Sequence, residues 1–481
     1  MTQNDIVQKL WNLCDVLRDD GINYSDYVTE LVLLLFIKME HENTASGLLS
    51  GHRLPDHARW TTLSALSGVN LLNHYRETLL KLSRSDDPLI AAIYADAQTR
   101  LTEARHLEQV IRSLDAIDWF SAAKDGLGDL YEGLLEKNAS ETKSGAGQYF
   151  TPRPLIDSIV ALIQPQPGET IQDPAAGTAG FLIAADAFIR QHTDDLYDLS
   201  EAQRRFQRNR AFMGMELVSG TRRLALMNCL LHGMEGDDEG VVHLGNTLGS
   251  AGSTLPRSDI ILSNPPFGTA KGGGGPTRDD LTYATSNKQL AFLQHIVRHL
   301  KDEGRAAVVL PDNVLFEAGV GADVRRDLMD KCRLHTILRL PTGIFYAQGV
   351  KTNVLFFQKI SQAATGSTDE VWIYDLRANA PKFGKRTPLT RAHFADFETA
   401  FGEDCNGMSQ RTDQGETGRW RCFTRDDIRA RADSLDISWL KDDSAEDAAD
   451  LPEPAVLARE IAEELNGALE ELEGLLGELA E

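Results

Sequence analysis

The run Asp259-Ile260-Ile261-Leu262-Ser263-Asn264-Pro265-Pro266-Phe267-Gly268 joins a short apolar strand to a rigid polar turn with an aromatic at its tip. Those residue types suit one demanding reaction, the alkylation of an exocyclic amine on a nucleobase. Such an amine is a poor nucleophile because its lone pair is delocalised into the ring. Accepting hydrogen bonds from both of its N–H groups favours a more tetrahedral nitrogen that keeps its lone pair. The side-chain amide oxygen of Asn264 and the backbone carbonyl of Pro265 are suitable acceptors. Pro265 and Pro266 fix φ and so preorganise them, and Phe267 offers a face on which a flipped base can stack. An ordinary strand-end turn uses the same Asn-Pro chemistry, so the assignment depends on what else the chain holds.

Upstream lies Ile171-Gln172-Asp173-Pro174-Ala175-Ala176-Gly177-Thr178-Ala179-Gly180-Phe181. Residues 167–171 read as a short first strand, small residues then make a tight turn, and Phe181-Leu182-Ile183-Ala184-Ala185 opens a helix. Glycines at a strand-to-helix turn let a ligand approach the backbone, and the helix start offers free N–H groups. The spacing is not the Gly-x-Gly-x-x-Gly of dinucleotide binders. Further on, Met213-Gly214-Met215-Glu216-Leu217 places Glu216 at the end of a second strand, where a carboxylate commonly grips ribose hydroxyls. Plain surface charge is the alternative for Glu216. The ordered series of glycine turn, acidic strand end and Asn-Pro-Pro-Phe weighs against it.

In these motifs the chain resembles the N6-adenine DNA methyltransferases that use S-adenosylmethionine, and more closely the modification (methylation) subunit of type I restriction-modification systems. Gly145-Ala146-Gly147-Gln148-Tyr149-Phe150-Thr151-Pro152-Arg153-Pro154 is similar to the family's cofactor motif ahead of the catalytic domain. Asp173 to Phe181 resembles its glycine loop and Gly214 to Leu217 its ribose-binding strand. Residues 340–345 and 352–357 resemble the last strands of the domain. The resemblance implies cofactor contacts from Gln148, Tyr149, Phe150, Thr151, Pro152, Arg153, Asp173, Gly177, Thr178, Ala179, Gly180 and Glu216. It implies catalysis by Asn264, Pro265, Pro266 and Phe267. One departure is Asn246 in Gly245-Asn246-Thr247-Leu248, where many relatives carry Asp; an amide still hydrogen-bonds a neutral adenine.

Elements must hold these turns in place. Up to about residue 140 the apolar spacing of Ile6, Val7, Leu10, Trp11, Cys14 and Leu17, then of Leu127, Leu130, Tyr131, Leu134 and Leu135, predicts a helical N-terminal domain. From about 145 to 400, strands such as 306–310 alternate with helices such as 289–300. That alternation predicts an α/β catalytic domain, a doubly wound and mainly parallel sheet with its ligand outside the carboxyl ends of the strands. The resemblance makes it a Rossmann-like methyltransferase sheet. Residues 401–450 read as an irregular connection and 451–481 as a C-terminal helix. In that tail Ile461, Leu465, Ala468, Leu472, Leu475 and Leu479 form a heptad seam, open either to packing on its own domain or to docking on a partner. Four consecutive glycines, Gly272 to Gly275, predict a loop beside the catalytic turn, either passive or ordered by DNA, with Lys271 and Arg278 in reach of phosphate.

Charge points to partners. The net charge is −23, of which the stretch Lys441 to Glu481, with 14 acidic and 2 basic residues, carries more than half. A lone DNA-binding protein is expected to be basic, since phosphate contacts supply most non-specific affinity. Clusters such as Arg204, Arg205, Arg208, Arg210 and Lys382, Lys385, Arg386 read more readily as solvated faces. Motif order, with the cofactor motif first and Asn-Pro-Pro-Phe last, is that of methyltransferases whose target-recognition region lies C-terminal. Only about 120 residues follow Lys359, little room for such a domain. The sequence reader is therefore expected on another chain. The resemblance implies the partners: double-stranded DNA, a specificity subunit, a second copy of the methylation subunit and a restriction (translocase/endonuclease) subunit. Cys14, Cys229, Cys332, Cys405 and Cys422 are scattered without metal-ligand spacing, so reduced thiols in a cytoplasmic protein and no metal are expected. The opening residues lack a signal-like run, and the apolar stretch 31–37 is too short to span a bilayer. A self-sufficient methyltransferase reading its site with 360–440, a non-enzymatic scaffold, and an RNA-adenine or protein-glutamine methyltransferase are the competing readings.

Overall fold

The computed structural model describes residues 3–22, 26–45, 47, 51–117, 119, 127–141, 150–268, 276–345, 350–361, 366–381, 383 and 387–440. Gln148, Tyr149, the glycine run 272–275 with Lys271, the basic residues Lys382, Lys385 and Arg386, and the heptad tail lie outside them.

The N-terminal region is helical, as its periodicity predicts. Its centre is the helix Tyr27–Ala45, buried along most of its length because Leu31 to Ile37 is apolar on every face. The few polar side chains buried there are met. Glu30 accepts from Thr99 Oγ1 at 2.8 Å and Arg100 N at 2.7 Å, and Lys38 pairs with Asp115 at 2.7 Å and Glu42 at 2.8 Å. Asp87 caps the helix Pro88–Ile93 by accepting from Leu89 N and Ile90 N, with proline at the first turn where no N–H is needed.

The region after the helical one is built on nine strands: β1 (Ile171–Asp173), β2 (Phe212–Glu216), β3 (Val242–Leu244), β4 (Ser258–Ser263), β5 (Leu300–Pro311), β6 (Cys332–Leu340), β7 (Thr352–Lys359), β8 (Glu370–Asp375) and β9 (Trp420–Thr424). Their order is β3-β2-β1-β4-β5-β7-β6-β8-β9. The first five in that order are parallel, and β7 runs antiparallel between β5 and β6. The chain moves outward from β1 to β2 and β3, then returns to the other side of β1 as β4. This reversal leaves a crevice at the carboxyl ends of β1 and β4, where a ligand fits.

Both faces of the sheet are covered. Along β4, Ile260 and Leu262 join one apolar layer and Ile261 the other; along β5, Ala307 and Val309 face one way and Ala306, Val308 and Leu310 the other. The second layer is closed by the helices Lys288–His299 and Val320–Lys331. The helical region packs on the first layer's side. Arg223, from the helix Ser219–Leu231, donates to the carbonyls of Ile93 at 2.8 Å and Ala95 at 2.5 Å, and Tyr131 Oη donates to the Leu224 carbonyl at 3.4 Å.

The sheet extends further than the sequence suggests. Residues 401–450, expected to be irregular, contain β9 and the helix Arg425–Ala430, and β9 pairs antiparallel with β8. Aromatic burial drives this extension: Trp420 is 1 % exposed and stacks on Trp372 with centroids 5.3 Å apart, near Phe397. Strands β8 and β9 thus follow the two that were expected to end the domain. Among the described residues no helix is long and apolar enough to cross a membrane.

Candidate active site

Three turns share the carboxyl edge of the sheet because β1, β2 and β4 are parallel neighbours in register. The turn after β1 is tight: Gly177 has φ +54° and Ala179 φ +69°, the left-handed region where glycine is at ease and alanine is strained. A side chain on Gly177 would project into open space, so the absence of one leaves room for a ligand against the backbone. The helix Gly180–Gln191 starts directly after the turn.

Asp173 is buried, and its Oδ1 accepts from Ala175 N at 3.0 Å and from Ser263 Oγ at 2.7 Å. It therefore ties the end of β1 to the end of β4 and shapes the turn from inside. Burial pushes its carboxyl up to about 7, against the lowering effect of those hydrogen bonds. Glu216 ends β2. Its Oε2 accepts from Gly177 N at 3.1 Å and its Oε1 from Val218 N at 2.8 Å. A carboxylate has about four acceptor positions, so acceptor capacity remains for a ligand's hydroxyl. Burial raises its pKa, and the backbone N–H groups partly offset that.

The Asn264–Phe267 turn, the expected catalytic one, follows β4. Asn264 Nδ2 donates to Thr151 Oγ1 at 2.9 Å, which brings residue 151 of the motif before the domain against the turn after β4. With Nδ2 directed at Thr151, Oδ1 occupies the opposite side of the amide. Pro265 is buried, Pro266 exposed and Phe267 half-buried. Phe267 meets Phe345 edge to face at 6.4 Å. The carbonyl of Pro266 accepts from Gln289 Nε2 at 3.2 Å.

The other expected cofactor residues divide by their contacts. Phe150, Thr151 and Pro152 are half-buried beside the catalytic turn's partner. Arg153 is already committed: it ion-pairs with Glu132 of the helix Leu127–Glu141 and with Asp157 at 2.9 Å. Burial alone would lower its pKa, but these carboxylates hold it up. It acts as a strut between two helices. Thr178 offers its carbonyl to Asn228 Nδ2 at 3.0 Å, and Ala179 is fully buried. Asn246 is exposed, and its Oδ1 accepts from Leu248 N at 3.0 Å in a local turn.

Arg278, one of two loop cations that could touch phosphate but are not assigned to the site, is engaged inside the fold. Rather than reaching toward phosphate, its buried guanidinium pairs with Asp280 through two bonds of 2.7 and 2.5 Å, donates to the Thr247 carbonyl at 3.2 Å and meets His295 Nδ1. Thr247 Oγ1 in turn donates to the Pro174 carbonyl at 2.5 Å. The turns after β3 and β1 are thereby linked to the segment that returns from the glycine run. Gln289, Asn228 and Thr247 were missed by sequence reasoning, since each is a common polar residue whose partner lies far away in the chain. Among the described residues, Asp129, Glu132 and His232 lie close enough to share an ion, but the Arg153 cation on Glu132 opposes one.

Comparison with known proteins places the chain in a family. Residues 122–448 match the family model for N-6 DNA methylase, and residues 6–114 match that for the HsdM N-terminal domain. The type I restriction enzyme EcoKI methylase subunit of Escherichia coli (strain K12) is 53% identical, the alignment covering 100% of this chain and 96% of the relative. The type I restriction enzyme StySPI methylase subunit of Salmonella potsdam is likewise 53% identical over 100% of this chain and 96% of its own length. A crystal structure of the type I restriction enzyme EcoKI M protein superposes with a TM-score of 0.60 at 48% identity, covering 99% of this chain and 96% of that one. A chain from a structure on complex assembly and conformational transition of the type I R-M system gives a TM-score of 0.70 at 26% identity, covering 99% and 98%. This chain belongs to the N-6 DNA methylase family, among the methylase subunits of type I restriction enzymes.

Proposed function

We propose that the chain transfers a methyl group from S-adenosylmethionine to N6 of an adenine flipped out of double-stranded DNA. The observation that carries this reading is the Asn264–Phe267 turn, set at the carboxyl end of β4 and held to Thr151 of the cofactor motif. The cofactor supplies a methyl group activated by a sulfonium leaving group. The protein's task is then alignment and hydrogen bonding rather than strong base catalysis. Asn264 Oδ1 and the Pro265 carbonyl accept the two N–H groups of the amine, keeping its lone pair on nitrogen and in line with the methyl group. Phe267 stacks on the base. As the N–C bond forms the S–CH3 bond breaks, the sulfur leaves as a neutral thioether, and the now acidic amine passes its proton to solvent water without a dedicated base. Glu216 takes the ribose hydroxyls, residues 177–180 cradle the methionyl part, and residues 148–152 close the pocket. Asp173 and Arg153 act behind this surface, on the turn and on the adjoining helices.

The chain works in this reading as the methylation subunit of a larger assembly, with a specificity subunit, a second copy of itself and a restriction subunit. Its charge of −23 supports the reading, because phosphate binding must then come largely from other chains. The names of its relatives, methylase subunits of type I restriction enzymes, support it too. The heptad seam from Ile461 to Leu479 is the proposed docking helix. The test is co-expression of the full chain, and of a chain ending at Leu451, with the specificity subunit encoded beside it. The full chain is expected to co-purify and to form N6-methyladenine at a defined site. The shortened chain is expected to bind S-adenosylmethionine but not to co-purify. Site-specific methylation by the isolated full chain would overturn the multisubunit reading and leave the chemistry standing.

A further inference from the structure

The catalytic turn is held from two sides. Thr151 takes the Asn264 amide at one end, and Gln289 takes the Pro266 carbonyl at the other. Gln289 is 1 % exposed, and its position is itself fixed. It lies in the first turn of the helix Lys288–His299, whose cap is Asn287: Oδ1 of Asn287 accepts from Gln289 N at 3.0 Å and Leu290 N at 3.3 Å. Nδ2 of Asn287 donates to Glu317 Oε2 at 2.7 Å, just after β5. The relay Glu317–Asn287–Gln289–Pro266 therefore joins the loop after β5 to the turn after β4.

We propose that Gln289 is a positioning residue for methyl transfer. In a Pro265-Pro266 pair neither residue has an N–H, and φ is fixed at both, so the remaining freedom lies in ψ and thus in where each carbonyl points. Holding the Pro266 carbonyl toward the helix Lys288–His299 fixes the plane of the peptide that follows Pro266. That plane sets the direction in which the chain leaves the turn, and so where Phe267 is presented to the base. Gln289 acts on turn geometry and does not touch cofactor or base. The proposal rests on Asn264 and Pro265 being the amine acceptors.

The test compares Gln289→Met, which keeps length but loses the donor, with Gln289→Glu, which donates only when protonated. Both are measured in the assembly with the specificity subunit. Gln289→Met is expected to lower kcat by about tenfold, the effect of losing one hydrogen bond, with S-adenosylmethionine and DNA affinities unchanged. The ratio of Gln289→Glu activity to wild type is expected to rise as pH falls, as the buried carboxyl takes up its proton and donates to Pro266. A purely structural role would make the Gln289→Glu melting temperature follow pH together with activity and would raise KM for both substrates, whereas the positioning role changes kcat at temperatures well below the melt, where the fold stays intact. Wild-type kcat in Gln289→Met, or a pH-independent ratio, overturns the proposal. Asn264→Ala run alongside separates the failures: if it stays active the amine-acceptor reading is wrong, and if only Gln289→Met stays active the positioning role is wrong.

Discussion

Replacing Glu216 with glutamine changes little in size but much in bonding. The two carboxylate oxygens serve different backbone groups, Oε2 taking Gly177 N at 3.1 Å and Oε1 taking Val218 N at 2.8 Å. A glutamine has one acceptor oxygen, so one of those N–H groups must face an NH2 donor. An unmet donor of this kind costs about 1–3 kcal/mol, which falls on the stability of the glycine turn. Separately, the substitution removes the charge proposed to receive the ribose hydroxyls. A hydrogen bond to a charged group contributes about 1.5–3 kcal/mol, so the dissociation constant for S-adenosylmethionine should rise by roughly 10- to 150-fold. Calorimetric titration of wild type, Glu216→Gln and Glu216→Ala, with a thermal melt of each, separates the two effects. Both variants should bind weakly. Glu216→Gln should melt no higher than Glu216→Ala, because water can serve the N–H groups in the space alanine leaves. Unchanged affinity in both variants, with cooperative melts, would remove Glu216 from the cofactor site and with it the physical argument for its strand-end position.

Asp173→Asn tests the buried carboxyl. Its folded pKa is raised from 3.8 to about 7, so its share of stability is present below pH 3.8 and is lost as pH rises through about 7. Its bonds from Ala175 N and Ser263 Oγ both end on Oδ1, an acceptor that asparagine keeps. Chemical denaturation across pH 4 to 8 should therefore show wild type losing stability relative to Asp173→Asn over that window; parallel curves would contradict the assignment. Arg377→Ala tests the far side of the same edge. Arg377 pairs with Asp312 at 2.8 and 2.5 Å and donates to the carbonyls of Leu340 and Thr352 at 2.9 and 2.8 Å, so β5, β6 and β7 meet on one guanidinium. Removing it leaves Asp312 half-buried without its cation and should destabilise the chain by about 3–5 kcal/mol; a denaturation midpoint like wild type's would refute that role.

The parts of this protein that were legible in its sequence are those whose chemistry is local. Asn264 to Phe267 declares itself because two prolines and an aromatic follow an apolar strand, and Glu216 because it ends another. The alternation of β4 and β5 carries the sheet, and the spacing from Ile6 to Leu17 carries the helical region. What was not legible depends on partners distant in the chain. Arg153 and Arg278 sit beside motifs, and only the fold shows that Glu132 and Asp280 pair with them. Gln289 and Asn228 are ordinary helix residues until the fold sets them against Pro266 and Thr178. Strand β9 is hidden because only Trp420 of its five residues is fully buried, and its pairing partner β8 lies across a long intervening segment.

The central claim is that Asn264 holds the amine that is methylated, and one comparison tests it most directly. Asn264→Ala and wild type, each assembled with the specificity subunit, are assayed for N6-methyladenine formed in DNA and for S-adenosylmethionine affinity. The substitution removes one preorganised acceptor and leaves Glu216 and the glycine turn untouched. Methylation should fall by about a hundredfold or more, the effect of deleting one such group from a reacting centre, while cofactor affinity, which loses only the Asn264–Thr151 tie, should change far less. Near-wild-type methylation by Asn264→Ala would contradict the account.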